Sequence, residues 1–447
     1  MHPLPPRPTR GQSLIEILIA LAVLSILGLT VFRLSAISSQ LVSYTRARIA
    51  ARHLALEKIE LIRNLAYEDV GTLGGIPPGP ITQSDITKLN GLSYSVRTSI
   101  IYIDDPFDSL APSDTNPTDY KRARVEVSWA GIASSSRNPI VLVTDISAKH
   151  EIEVEGGVLN VFVFDSNGNP LPLATVRITS SGLDPEIDVT QTTDDDGEVS
   201  LPGAPECVAC YRIAVSKTGY SSDRTYSLAE ITNPIKADQG VFASSITQIS
   251  FAIDKVSTLT VSSINGEATG YSPAPGVTFQ LRGTKILGTD AYAQMIYKVD
   301  QSYTTDSSGN LTIPNVEWDV YQIFMPTITS WDIAGSFPLI PINIVPDSNS
   351  DLDFVVAPHT ANSLLSIVKD PAQALIGGAF VRIYDGAGFD QTQAVGQAQT
   401  ANVGQTFFPS LEEKTYQVEA TASGYLNYSG EVIISGYTKD EVVLTPE

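Results

Sequence analysis

The sequence predicts an α+β N-terminal part, a long transmembrane helix plus a small antiparallel sheet, followed by all-β sandwiches in tandem. Three observations carry that prediction. Residues 11–32 read GQSLIEILIALAVLSILGLTVF, an apolar run broken by one charge, Glu16. Three segments between residues 92 and 146 alternate apolar and polar residues with a period of two. From Gly157 onward one order of strand and turn signals recurs three times.

The helix comes first. At 1.5 Å per residue, roughly 20 apolar residues cross the hydrocarbon core of a bilayer, so the run to Phe32 is long enough. A secretory signal would place a small-residue cleavage site after the apolar core. Here the small residue, Gly11, and the charges Arg7 and Arg10 precede it. A plain membrane anchor explains the length but not Glu16, because a carboxylate in lipid is costly and needs a reason. Residues 33–66 lack Pro and Gly and are rich in helix formers, so the helix is expected to continue outside the membrane. Ala47, Ala51, Leu54, Leu61 and Leu65 trace its stripe, expected to pack on the sheet that follows.

Gly11, then four residues, Glu16 and an apolar helix closely resemble the leader of type IV pilins and type II secretion pseudopilins. The resemblance implies that a prepilin peptidase cuts between Gly11 and Gln12 and N-methylates the new terminus. Glu16 then becomes the fifth residue of the mature chain and pairs with the terminal amine of a neighbouring subunit during assembly. Such a buried pair adds little stability but fixes register. Two positions depart from the family: Gln12 stands where most members carry Phe, Met or Leu, and Arg33 where many major pilins carry Pro.

Gly71, Gly74, Gly75 and the run from Ile76 to Pro80 are expected to end the helix. Leu92–Ile103, Arg122–Trp129 and Ile140–Ile146 then read as three or four antiparallel strands. Helix, glycine-rich loop and small sheet together resemble a minor pilin head. Between two of these strands, Asp104, Asp105, Asp108, Asp114 and Asp119 crowd one loop. Oxygen ligands so placed suit Ca²⁺, as in some pseudopilins, but EF-hand spacing is missing and the same residues make ordinary turns. The turn is the preferred reading.

The repeats open at Val158–Phe164, Leu259–Ile264 and Leu364–Val368, and continue at Ala174–Ile178, Val277–Leu281 and Ala379–Ile383. A turn follows in each: TDDDGEVSLPG from Thr193, TDSSGNLTIPN from Thr305 and TANVGQTFFPS from Thr400. Gly197, Gly309 and Gly404 align, as do Pro202, Pro314 and Pro409, and strands led by Tyr211, Tyr321 and Tyr416 come next. Short strands at this spacing predict Ig-like sandwiches. The pattern resembles carboxypeptidase-regulatory-like or Cna-B-like modules, which act as spacers or binders. Some Cna-B modules carry a Lys–Asn crosslink, for which Lys369 and Glu419 stand at tempting places, but the last strand offers no Asn.

The expected organisation is a prepilin leader at 1–11, an assembly helix at 12–66, a pilin-like head at 67–155, and sandwiches at 156–256, 257–361 and 362–447. Short connectors are expected around Lys255–Ser257 and Pro358–Ser363. The 447 residues carry a net charge of −21, and 43% are hydrophobic. Residues 1–66 hold eight Lys or Arg against three Glu, or +5, which leaves −26 beyond them. So acidic a region repels nucleic acid. Basic residues ahead of the apolar run place the N-terminus in the cytoplasm.

Cys207 and Cys210 are the only cysteines and are expected in an inter-strand loop two residues longer than its counterparts. Two thiols do not complete a zinc site, and a β-loop lacks the helix N-terminus that redox thiols use. A local disulfide in an oxidising compartment is the preferred reading. No G-x-S-x-G elbow, phosphate loop or HExxH motif occurs. The function expected is therefore that of a minor pilin or pseudopilin-like subunit, not an enzyme, and without a cofactor unless Ca²⁺ binds. Its partners would be prepilin peptidase, other pilins, the inner membrane before assembly, and a surface, glycan or protein ligand on the sandwiches. After assembly it would stand in a filament or at the cell surface. Alternatives are an anchored adhesin or spacer outside any filament, or an anchored extracellular enzyme.

Overall fold

The computed structural model describes residues 14–107, 109, 117–130, 139–149, 156–385, 394–399 and 404–447. Helix α1 spans Leu14–Arg63, 50 residues or about 75 Å. Described side chains from Leu18 to Val42 are exposed, whereas Ala47, Ala51, Ala55, Ile59 and Ile62 are buried. The contact stripe is thus built largely of alanine. Leu61, expected on it, is 47% exposed, because the line through Ala51, Ala55 and Ile62 turns Leu61 to one side. The helix stops three residues before the expected end. Asn64 N–H still donates to Glu60 O (3.1 Å), then Leu65 N–H reaches Ile62 O (3.2 Å) and a single 3₁₀ turn, Tyr67–Asp69, follows.

Strands β1 (Ser84–Leu89), β2 (Leu92–Ile103), β3 (Tyr120–Ala130) and β4 (Ile140–Ser147) form one antiparallel sheet in sequence order. Alternate residues face α1: Tyr94, Val96 and Ile100 from β2, and Ala123, Val125, Val127 and Trp129 from β3. Alanine on the helix lets its backbone approach that sheet closely. Lys58 of α1 reaches Asp85 of β1 at 3.0 Å and ties helix to sheet edge.

Sandwich 1 contains β5 (Gly157–Phe164), β6 (Thr175–Ser180), β7 (Asp188–Thr192), β8 (Glu198–Ala204) and β9 (Cys207–Ser216). It continues with β10 (Asp223–Arg224), β11 (Asn233–Pro234), β12 (Gln239–Val241) and β13 (Ile246–Ala252). Sandwich 2 holds β14 (Ser257–Asn265), β15 (Thr278–Gly283), β16 (Ile286–Thr289), β17 (Met295–Tyr297) and β18 (Asp300–Thr304). Its later strands are β19 (Asn310–Val316), β20 (Asp319–Phe324), β21 (Trp331–Phe337), β22 (Ile342–Ile344) and β23 (Asn349–Pro358). Sandwich 3 begins with β24 (Ser363–Lys369), β25 (Phe380–Asp385), β26 (Ala394–Gln399) and β27 (Gln405–Phe408). It ends with β28 (Thr415–Thr421), β29 (Tyr428–Ile433) and β30 (Tyr437–Val443).

One plan recurs. The first strand of each sandwich lies between an antiparallel partner (β8, β19 or β27) and its own last strand (β13, β23 or β30), which runs parallel to it. The aligned turns enforce that plan. Gly197, Gly309 and Gly404 all adopt left-handed φ, at 72°, 76° and 67°. Their carbonyls accept from Val163, Ser263 and Val368 N–H, each at 2.8 Å. A Cβ there would fall 2.5, 2.7 and 2.9 Å from a carbonyl oxygen of the first strand, so only glycine fits. Thr193 and Thr305 are buried and their hydroxyls accept from Ala174 N–H (2.9 Å) and Val277 N–H (3.0 Å); Thr400 lies outside the described residues. Tyr211 and Tyr321 are fully buried and donate to Pro205 O (2.8 Å) and Glu317 O (2.9 Å). Tyr416 instead accepts from Glu412 N–H at 3.1 Å.

The connectors are short, residues 253–256 and 359–362, but contacts across them are more than a link. Strand β11 of sandwich 1 pairs with β16 of sandwich 2, and Lys298 donates to Ser222 O at 2.8 Å. Between sandwiches 2 and 3, Ser336 N–H donates to the Gln405 carboxamide (3.0 Å), which donates back to Ser336 O (2.7 Å). Buried Asp332 meanwhile accepts from Thr360 N–H (3.1 Å) and contacts His359 Nδ1 at 2.8 Å. The head joins sandwich 1 likewise: Asp188 N–H donates to Gly74 O (2.7 Å), and Ile76 and Tyr102 enter the core of sandwich 1.

Candidate assembly helix and processing site

Gly11 and Gln12 lie outside the described residues. Glu16 is the third residue of α1. From Leu18 onward the helix presents apolar side chains on every side, with Ile19 60% and Phe32 74% exposed. Three of its hydroxyls bond back to carbonyls of the preceding turn. Ser25 Oγ donates to Leu21 O (2.7 Å), Thr30 Oγ1 to Leu27 O (2.8 Å) and Thr45 Oγ1 to Leu41 O (2.8 Å). That arrangement suits lipid or a bundle of like helices, neither of which supplies water. Among the described residues, one helix is long and apolar enough to cross a membrane, with mean hydropathy 1.9 over its most apolar window.

Past Val42 the environment changes. A groove of about 540 Å³ opens between α1 and β4, lined by Arg48, Arg52, Ile140 and Leu142 among others. At the opposite sheet edge, the Thr82 hydroxyl and the Lys58 ammonium hold the Asp85 carboxyl below its ordinary range.

The acidic loop is organised as a turn where it is described. Asp119 accepts from Asp105 N–H (2.7 Å), and Asp105 accepts from Phe107 N–H (2.9 Å). Asp104, Asp105 and Asp119 are described, whereas Asp108 and Asp114 lie outside the described residues. No group of three or more His, Cys, Asp or Glu able to hold a metal occurs among the described residues.

Cys207 and Cys210 are joined by a disulfide, with Cα atoms 5.9 Å apart. They open β9, where Cys207 pairs with Val241, and do not lie in the expected inter-strand loop; Ala209, at φ 51°, makes the turn between them. Lys369 forms an ion pair with Glu441, on the neighbouring parallel strand. Glu419, on the other sheet, accepts from the Tyr384 hydroxyl at 3.1 Å.

Residues 6–32 match the family model of the prokaryotic N-terminal methylation motif. The chain carries a prepilin-type N-terminus. The matched segment contains Gly11, Gln12 and Glu16, and it leads into the exposed prepilin-type helix. No curated protein matches the sequence.

Among solved structures, the chain is similar to the Bacillus anthracis TIE protein at 13% identity and TM-score 0.17, covering 82% of this chain and 74% of that one. It is also similar to a streptococcal ancillary pilin at 12% identity and TM-score 0.18, covering 66% and 99%. A third is the shaft pilin SpaA of Lactobacillus rhamnosus GG, at 13% identity and TM-score 0.18, covering 45% and 98%. TM-scores this low carry no argument about fold or function. The pilin-like reading therefore rests on the motif and on the helix that follows it.

Proposed function

We propose that this chain is a minor pilin or pseudopilin-like subunit of a type IV pilus or related secretion filament. The observation that supports this most is the methylation motif running directly into a long, exposed, mainly apolar helix. In this reading the precursor sits in the inner membrane with a cytoplasmic N-terminus. Prepilin peptidase cuts between Gly11 and Gln12, leaving a positive amine at the start of the helix. Extraction from lipid into a helical bundle then leaves Glu16 needing a cationic partner, and a neighbour's terminal amine supplies one.

Residues 156–447 are too bulky to recur at every position of a tightly wound shaft, which favours low copy number and a tip or side position. There the three sandwiches act as a spacer or an adhesin.

The test is co-expression with a prepilin peptidase, reading the mature N-terminus by mass spectrometry and filament entry by shearing and immunoblot. Gly11→Glu is expected to leave the precursor uncut. Glu16→Val is expected to be processed and membrane-inserted yet poorly assembled. Cleavage elsewhere, or an intact Met1 in the wild type, would favour a plain anchored surface protein. Normal assembly of Glu16→Val would remove the pairing role.

A further inference from the structure

Beyond assembly, we propose that the cleft between sandwiches 1 and 2 binds a neutral saccharide. This deepens the adhesin reading by naming a ligand class, but the site lies far along the chain from the helix and can be tested apart from it.

The cleft is made by additions to the shared plan. Sandwich 1 inserts residues 217–245 between β9 and β13, where sandwich 3 has only residues 422–436 between β28 and β30. Sandwich 2 inserts residues 284–299, with the β16–β17 hairpin, where sandwich 1 has only residues 181–187. The two additions meet through the β11–β16 pairing and enclose a cavity of about 410 Å³. Ligand pockets fall in this size range.

The wall chemistry selects the ligand. Ile286 and Leu287 contribute aliphatic surface, while Trp318 and Tyr226 each carry a cation over one ring face, Lys285 Nζ at 3.2 Å and Arg224 at 4.1 Å. Between them Glu317, nearly buried, accepts from both Lys285 Nζ and Lys298 Nζ at 2.8 Å. Lys236 is paired with Asp223 on the opposite side. Each pair sets a donor beside an acceptor. A sugar hydroxyl both donates and accepts, so vicinal hydroxyls can engage both members of such a pair.

Each lining cation is already engaged: Arg224 with Glu230, Lys236 with Asp223, and Lys285 and Lys298 both with Glu317. An anion would have to compete with those carboxylates.

A second cavity of about 420 Å³ adjoins the first and shares Lys298 and Glu317 in its wall; Tyr220, Tyr303, Gln301 and Asn315 also line it. Two adjoining chambers divided by one polar pair suit a chain of repeated hydroxylated rings better than a compact solute.

The experiment uses the purified full-length chain in detergent. Neutral di- and trisaccharides of hexoses and N-acetylhexosamines serve as probes, by saturation-transfer NMR and then calorimetry. At least one is expected to bind, with little dependence on salt. Glu317→Gln is expected to weaken it at least about tenfold, because a charged hydrogen-bond partner is removed. Ile235→Asp, at the exposed rim of the cavity, guards against loss by misfolding: it should weaken binding while circular dichroism and thermal unfolding stay unchanged. The proposal is overturned by any of three results. These are no neutral probe bound at millimolar concentration, binding confined to acidic glycans or acidic peptides and abolished by salt, or affinity unchanged in both variants. None of these bears on processing or filament entry.

Discussion

Lys121 of β3 is 2% exposed, yet its ammonium remains in the protein interior, donating to Tyr67 O at 2.7 Å and lying 4.4 Å from the Tyr67 ring centre. Burial pushes its pKa down to about 8, against the opposing pull of Glu68 and Asp69. Between about pH 8 and pH 10 the unfolded chain holds a proton that the folded chain has released, so stability rises with pH. Below that window both states hold it and the penalty is full. The effect is bounded at ~3 kcal/mol, since a tenfold change in proton affinity is worth about 1.4 kcal/mol. Hydrogen exchange across β2 and β3, corrected for intrinsic rates, should slow as pH is raised through this window. Lys121→Met should abolish that gain, and an identical pH dependence in both proteins would refute the assignment. The sequence announces no such lysine, because it occupies an inward position of a strand whose alternation is otherwise apolar. Gly197, Gly309 and Gly404 are legible at this same scale. Their alignment marks a turn, and the structure adds why no other residue fits.

At the level of elements, strands with a strict period of two are readable, and so is the long helix. The parallel pairing of first and last strands is not. It joins segments more than 70 residues apart, and a strand's own residues do not say which neighbour it takes. The helix stripe is half readable, because large residues draw attention while the sheet selects small ones. Ala51, fully buried against the sheet, shows this. Ala51→Leu would force helix and sheet apart and should destabilise the head by roughly 1–3 kcal/mol. Hydrogen exchange or limited proteolysis should locate that loss in the head and leave sandwich 3 unchanged. The prepilin-type segment is the most legible element of all, since its signal is local: Gly11, Glu16 and the apolar run.

For the whole molecule, the decisive contacts are those between units. The β16–β17 hairpin is an addition to sandwich 2 whose pairing partner lies in sandwich 1. Replacing residues 286–297 with a short glycine-serine turn should leave both sandwich cores folded but uncouple them. Calorimetry should then resolve separate transitions for sandwiches 1 and 2 where the wild type shows a more concerted one. Unfolding of both cores together in the variant would mean that the coupling runs elsewhere, through Lys255–Asp347 or the connector. The cleft beneath this hairpin is invisible in sequence. It depends on two insertions, remote from each other in the chain, that meet only after folding.

The parallel ladder in each sandwich also sets how the extension carries load. The chain enters at the start of the first strand and leaves at the end of the last, at opposite ends of a ladder of seven, eight and seven residue pairs. Tension between the two ends therefore slides the strands along each other and stresses the whole ladder at once, where an antiparallel arrangement would peel open one rung at a time. Three such ladders stand in series. A pull on the far end is resisted until the weakest ladder gives way. Its slack then lowers the tension on the other two and on the base of the helix.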